Sequence, residues 1–126
     1  MARLDRQKLY DRVEDFFDLD GNAGMKLTRP AAIGLCLAAV SKELVVVKVE
    51  GGIWSDGQFE ARLDAIWDGL DPPLGQEKAK ENNLKAANFI KSVPAIDNAF
   101  LITCAPAAGY EHRVQPRPQR EQIGNG

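Results

Sequence analysis

The chain of 126 residues has little of what builds metal centres, disulfide frameworks or membrane spans. It holds two cysteines, Cys36 and Cys104, 68 positions apart in apolar runs and without a C-x-x-C motif. Cysteine in such surroundings behaves as a small hydrophobe, so we expect both thiols to be reduced and buried. His112 is the one histidine. The longest uncharged apolar stretch, Pro30 to Val40, has 11 residues, about half of what a membrane span needs.

An excess of charge of either sign is also missing. Sixteen Lys and Arg face eighteen Asp and Glu, for a net charge of −2, so no bulk field attracts nucleic acid or an anionic membrane. The first six residues lead into charged sequence rather than an apolar signal region, which predicts a cytoplasmic protein. The composition, 44% hydrophobic and 27% charged, is typical of one soluble domain. We expect a compact domain over residues 1–106 and a Pro-, Arg- and Gln-rich tail over residues 107–126.

Hydrophobic periodicity predicts a mostly helical α+β domain, with about four helices around a small two- to three-stranded sheet and an extended C-terminal tail. Thr28 is a good N-cap for a helix that has Pro30 in its first turn. Ser55 followed by Gln58 resembles a capping box at the start of another helix. The predicted helices span about residues 4–19, 28–42, 55–70 and 76–93, and the predicted strands are 44–50 and 99–104, with Ile53 and Trp54 or a tail segment as further sheet.

Motifs for catalysis or cofactor binding are incomplete. The stretch from Asp18 to Asn22 opens like a calcium loop, but it lacks the later glycine and glutamate of an EF-hand. The pair Gly51-Gly52 belongs to no phosphate-binding motif. Glu50 after Lys48 reverses the usual nuclease order, although Glu50 with Asp56 or Asp64 has the chemistry to hold Mg²⁺. His112 has no neighbouring nucleophile. We therefore predict no metal, no cofactor and no catalytic residue, and we keep a metal-dependent nuclease as a second alternative.

The most informative feature is an acidic row on the predicted third helix. On a helical wheel the carboxylates fall on one face, with a tryptophan at its border with the apolar stripe. Such a row is either a solvated face or a docking surface for a basic partner, since carboxylates steer association and tryptophan is enriched at binding hot spots. The candidate partner-binding residues are Glu60, Asp64, Trp67, Asp68 and Asp71.

The tail has the opposite polarity. Arg113, Arg117 and Arg120 are spaced by Pro and Gln, and Tyr110 is available for stacking. These four residues are candidates for docking within an assembly or along an RNA backbone, and an inert solubilising tail is the alternative. This tail is the one part of the chain for which the sequence leaves nucleic-acid binding open.

Small size, acidic surfaces and the lack of a catalytic motif favour a protein-binding module. The leading hypothesis is an immunity- or antitoxin-like inhibitor that presents an acidic helix face to a basic protein. The alternative is a structural or accessory subunit anchored by its tail in a larger assembly. Either hypothesis predicts a protein partner and no membrane.

Overall fold

The computed structural model describes residues 3–109. A five-stranded mixed sheet has the order β1-β2-β5-β3-β4; β1 and β2 are parallel, and the other neighbours are antiparallel. The strands are β1 (Leu9–Tyr10), β2 (Lys26–Leu27), β3 (Leu44–Ser55), β4 (Gln58–Asp68) and β5 (Ala99–Pro106). The helices are α1 (Val13–Asp18), α2 (Arg29–Ala38), a 3₁₀ turn (Ala39–Lys42) and α3 (Gln76–Ser92).

One face of the sheet forms the core together with α2 and α3. Val49 of β3 and Phe100 and Ile102 of β5 are fully buried, as are Leu35 of α2 and Ile90 of α3. Strand residues alternate between faces, so Lys48 and Glu50 of β3 point away from this core and are half-buried. The sheet therefore has one packed face and one face outside the core cluster, as antiparallel sheets commonly do.

Several predicted elements are confirmed. The Thr28 hydroxyl accepts a hydrogen bond from the backbone N–H of Ala31 at 3.4 Å, so it caps α2 as expected. The helix then continues as a 3₁₀ turn to Lys42. The predicted helix over residues 76–93 is α3. The strands predicted at 44–50 and 99–104 are β3 and β5, which are longer than expected and pair antiparallel.

The predicted fold class is wrong, because the structure is a five-stranded mixed sheet with three helices. Residues 55–70 form no helix; they contain the hairpin turn and β4. Asp56 and Gly57 both have positive φ, 53° and 76°, which is the backbone of a two-residue hairpin turn that favours Asp-Gly. The apparent capping box is therefore a turn, and the exposed edge of β3 gains a partner strand. The helix predicted over residues 4–19 is also too long, because only Val13–Asp18 is helical and Leu9–Tyr10 is a strand.

Two buried asparagines attach α3 to the sheet where β4 ends. Asn83 Oδ1 accepts from the N–H of Val46 at 2.9 Å, and its Nδ2 donates to the carbonyl of Leu44 at 3.0 Å. Asn82 Nδ2 donates to the carbonyl of Val46, and its Oδ1 accepts from the N–H of Leu70. The last β3–β4 pair is Lys48 with Asp68, so the two amides satisfy backbone groups of β3 that lie beyond the pairing with β4.

Within residues 3–109, every helix is too short or too polar to cross a membrane.

Candidate functional site

Strand β4 forms a long, acidic edge of the sheet. It pairs with β3 on one side, and it is the last strand in the order of the described sheet on the other. Edge strands expose backbone groups that natural proteins protect with charge or bulges, or use for binding. Between residues 56 and 71 the chain carries one basic side chain, that of Arg62. It carries five carboxylates there, which we call the acidic edge: Asp56, Glu60, Asp64, Asp68 and Asp71.

A large bulge interrupts this strand and changes the direction of its side chains. Between the pair of Glu50 with Ile66 and the pair of Gly52 with Ala61, β3 advances by two residues and β4 by five. Residues 62–65 therefore loop out of regular pairing, as at other β-bulges. Consequently, the carboxylates are not gathered on one face as the helix prediction required.

The ends of the acidic row lie on opposite faces of the sheet. Glu60 pairs with Ile53, and Asp68 pairs with Lys48. Lys48 and Ile53 are an odd number of residues apart in β3, so their side chains point to opposite faces. Carboxylates four residues apart are also separated by roughly 13 Å along a regular strand, compared with about 6 Å on a helix. The structure therefore distributes them along the edge of the sheet, over both of its faces.

Two of these carboxylates form exposed ion pairs. Asp68 Oδ1 lies 3.3 Å from Lys48 Nζ, and Asp64 Oδ2 lies 3.4 Å from an Arg62 guanidinium nitrogen. The two carboxylate side chains are 73% and 77% exposed. Because exposed ion pairs contribute little, both carboxylates remain accessible to a charged partner.

The base of the bulge is held by a more buried ion pair. Arg62 Nε lies 2.7 Å from Oδ1 of Asp97, although the N–H direction misses hydrogen-bond alignment. Asp97 is almost fully buried, whereas the Arg62 side chain is one-third exposed. The ion pair therefore connects β4 to the loop that precedes β5, and it directs the one arginine of the acidic edge toward the protein interior.

That loop is in turn fixed by Arg29 at the start of α2. The Arg29 guanidinium donates to the carbonyls of Ile90 and Val93 at the end of α3 and to those of Pro94 and Asp97. A guanidinium suits the free carbonyls at a helix C-terminus because of its charge and its fork of donors. Arg29 also lies 5.4 Å from the centre of the Phe100 ring.

Trp67 lies on the core face rather than on the acidic edge. It is half-buried, opposite Val49 in the β3–β4 register, and packs against the core cluster. Its exposed part lines a groove between the end of β4 and α3, together with Leu70, Lys78 and Lys85. Asp68 lines the same groove, so the ring of Trp67 is near one end of the acidic edge and not among all five of its carboxylates.

Asp71 follows β4 as an exposed side chain. The candidate tail residues Tyr110, Arg113, Arg117 and Arg120 lie outside the described residues, as does His112, and their roles stay predictions. The division into a domain over 1–106 and a tail over 107–126 also stays a prediction.

The arrangement of metal-ligating side chains and thiols within residues 3–109 bears on catalysis. This part of the chain has no group of three or more His, Cys, Asp and Glu side chains that could hold a metal ion. Burial raises the pKa of both Cys36 and Cys104 from 9.0 to about 12, which keeps the two thiols protonated and unreactive.

Sequence reasoning missed two features of this edge. The Arg62–Asp97 ion pair joins residues 35 positions apart, which no local pattern indicates. Leu63 has helical spacing from Phe59 and Trp67, which predicts a buried position in an apolar stripe, yet it is 90% exposed on the bulge. The Asp-Gly pair at 56–57 was the available signal, because it favours a hairpin and therefore a strand after it.

An exposed acidic edge on a helix-backed sheet is typical of a protein-binding module. The comparison with known proteins identifies the family: the chain belongs to the colicin E5 immunity proteins, since the family model described as Colicin-E5 Imm protein matches residues 25–105. It is 46% identical over 107 residues to Immunity protein CdiI of Burkholderia pseudomallei, covering 85% of this chain and 98% of that protein. It is 37% identical over 82 residues to the Colicin-E5 immunity protein of Escherichia coli, covering 63% and 96%.

These relationships confirm one part of the leading hypothesis from the sequence, the immunity-like inhibitor. The protein is an immunity-type inhibitor, and its partner is a protein.

Proposed function

We propose that this chain neutralises a toxin by covering a basic surface of that toxin with the acidic edge of β4. The observation that carries the proposal is the charge of residues 56–71, where five carboxylates accompany one arginine. That arginine, Arg62, is shared between the buried Asp97 and the exposed Asp64, so it offsets little of the negative charge of the segment. A surface with a net negative charge attracts and orients a basic partner.

The position of the charges supports the same proposal. Lys78, Glu81 and Lys85 of α3 line the groove that Trp67 also lines. The helix side of this groove therefore has a net positive charge, which disfavours its contact with a basic partner. This arrangement favours one orientation of the complex over others. The mixed charges also explain how a chain with a net charge of only −2 can act on a basic protein.

We also propose that the inhibitor acts in the cytoplasm. Cys36 and Cys104 are free and buried, and unpaired thiols are the norm in reducing compartments.

The test starts by identifying the toxin. The chain is co-expressed with colicin E5, which two of its relatives name, and with the toxin against which CdiI gives immunity. The toxin whose growth arrest this chain relieves is the cognate toxin for the binding experiments. If growth arrest by each toxin persists in the presence of the chain, the proposal is contradicted.

Charge reversal then locates the interface. The variant Asp64→Lys/Asp68→Lys changes two exposed side chains of the acidic edge, and the control Asp11→Lys/Asp18→Lys makes the same change of net charge near α1. Like charges facing each other across an interface cost several kcal/mol, so we expect the first variant to lose at least about a hundredfold in affinity, and the control less than about threefold. Thermal unfolding of both variants checks that the fold is retained. Equal losses in the two variants, or none in the first, would place the interface elsewhere.

The salt dependence of binding provides an independent measurement. If carboxylates of the acidic edge face basic side chains, raising the ionic strength weakens the complex of the wild-type protein. The charge-reversed variant of the edge should lose most of this dependence, while the control variant near α1 should retain it.

A further inference from the structure

Leu63 is the most exposed large apolar side chain of residues 3–109. It is 90% exposed at the bulge of β4, whereas the other exposed large apolar residues are between 48% and 56% exposed. A leucine that is almost completely exposed to water contributes almost no hydrophobic free energy to folding. Single exposed apolar residues are ordinary, so exposure alone does not make Leu63 a binding residue.

The first such observation is that the backbone on both sides of Leu63 is fixed. Arg62 pairs with the buried Asp97, and on the other side Ala65 is fully buried in the core. Asp97 belongs to the loop whose carbonyls are bound by Arg29. The bulge is therefore attached to α2 and to the end of α3 through the contacts of Asp97 and Arg29. A side chain on such a support loses less conformational entropy on binding than one on a mobile loop.

The second observation concerns the sequence neighbours of the ion pair. Leu63 follows Arg62 and Ile96 precedes Asp97, and both apolar side chains are exposed, by 90% and 56%. Asp64 follows Leu63 directly and is exposed. An apolar centre with carboxylates beside it is complementary to an apolar pocket with basic side chains at its rim.

We infer that Leu63 is the apolar anchor of the interface with the toxin, and that it inserts into an apolar pocket whose rim is basic. Ile96 covers the rim of the same pocket, and the Arg62–Asp97 ion pair holds the bulge in the shape that the pocket receives. The inference rests on the proposed function, because the acidic edge brings the toxin to this end of the sheet. It adds an apolar contact, which slows the dissociation of the complex.

The test compares Leu63→Ala with a matched control, Leu84→Ala, by measuring affinity for the purified cognate toxin. Leu84 is an exposed leucine on α3, away from β4. We expect Leu63→Ala to weaken binding at least about tenfold, mainly through faster dissociation, with an unchanged salt dependence. The control should change affinity less than about twofold. Because both side chains are exposed, neither variant should lower the melting temperature by more than about 2 °C.

A second variant separates shape from apolar character. Leu63→Met keeps most of the apolar area and adapts to a pocket, so we expect its affinity to stay within about threefold of the wild type. An affinity of Leu63→Ala equal to that of Leu84→Ala would overturn the anchor. If Asp64→Lys/Asp68→Lys abolishes binding in the same experiment, the proposed function survives that failure. If the charge reversal has no effect, the proposed function fails, and the anchor with it.

The other possible occupant of this surface is a second copy of the chain. Sedimentation of the free protein distinguishes it. Concentration-dependent dimers that Leu63→Ala dissociates, together with an unchanged affinity for the toxin, would assign the leucine to self-association and overturn the inference.

Discussion

Replacing Asn83 by alanine should destabilise the protein without touching the acidic edge. Asn83 is buried and makes three hydrogen bonds: one with the N–H of Val46, one with the carbonyl of Leu44 and one with Nδ2 of Asn82, at 2.9 to 3.0 Å. Alanine offers none of these bonds. The N–H of Val46 and the carbonyl of Leu44 then lose their partner where β3 runs past the end of β4.

The magnitude follows from the groups left without a partner. A buried polar group that loses its partner costs roughly 1–3 kcal/mol, and the Val46 N–H is the most buried of the three. Leu44 is half-buried, and Asn82 keeps its bond to the carbonyl of Val46, so these groups cost less. We therefore expect Asn83→Ala to lower the free energy of unfolding by about 3 kcal/mol. For a domain of this size that lowers the melting temperature by roughly 10 °C.

The assay is urea unfolding followed by circular dichroism, with Asn88→Ala as the control. Asn88 lies on the exposed side of the same helix, so both variants gain the same helix propensity from alanine. The difference between them reports the buried network alone. A difference below about 1 kcal/mol would show that water replaces the amide, and the argument that Asn83 completes the edge of β3 would be refuted.

Three further predictions concern the packing of the backbone, the loop before β5 and the buried thiols. Gly52→Ala places a Cβ against a backbone carbonyl of β4, so it should lower the free energy of unfolding in urea by at least about 3 kcal/mol. The control is Gly75→Ala, whose Cβ meets open space. It should change the free energy of unfolding by less than about 0.5 kcal/mol. Arg29→Met removes four hydrogen bonds to carbonyls and should cost about 3 kcal/mol and increase hydrogen exchange in the loop before β5. Cys36 and Cys104 have pKa values raised to about 12, so at pH 8 they should react with a thiol reagent only at the rate of unfolding. In the unfolded chain the same thiols ionise near 9.0. The free energy of unfolding should therefore fall as the pH rises from about 9 to 12.

The helices α2 and α3 and the strand β3 could be predicted because their signals are local. Thr28 and Pro30 mark the start of α2 within three residues of the helix itself, and the run from Leu44 to Val49 has the β-branched composition of a strand. For these segments local propensity and tertiary packing agree, which is the condition under which a sequence pattern is informative.

Strand β4 could not be predicted from its own residues. The positions of Phe59, Leu63, Ile66 and Trp67 fit a helical period, but Leu63 is exposed and Trp67 faces the core from a strand. The five-residue advance at the bulge breaks the alternation that a strand pattern needs. The conformation is decided by pairing with β3, and such tertiary pairing overrides local propensity.

The candidate site was predicted in composition but not in shape. The residue types that a basic protein partner needs were found at residues 60–71, while their arrangement on a helical face was wrong. What sequence reasoning lacked was the contact of Arg62 with Asp97, a long-range pairing. That contact decides which of the charges in the segment face solvent.

The strand order has a consequence for the synthesis of the protein. Strand β5 is the last of the described strands in sequence, but it lies in the middle of the sheet, between β2 and β3. While the ribosome has released only the residues before Ala99, β2 has no strand to pair with on its inner side, and the core lacks Phe100 and Ile102. Long-range pairing of this kind forms late and slowly. The β3–β4 hairpin of a nascent chain is therefore synthesised before the sheet that supports it can form. Protection against a toxin then depends on inhibitor molecules whose translation has already passed β5.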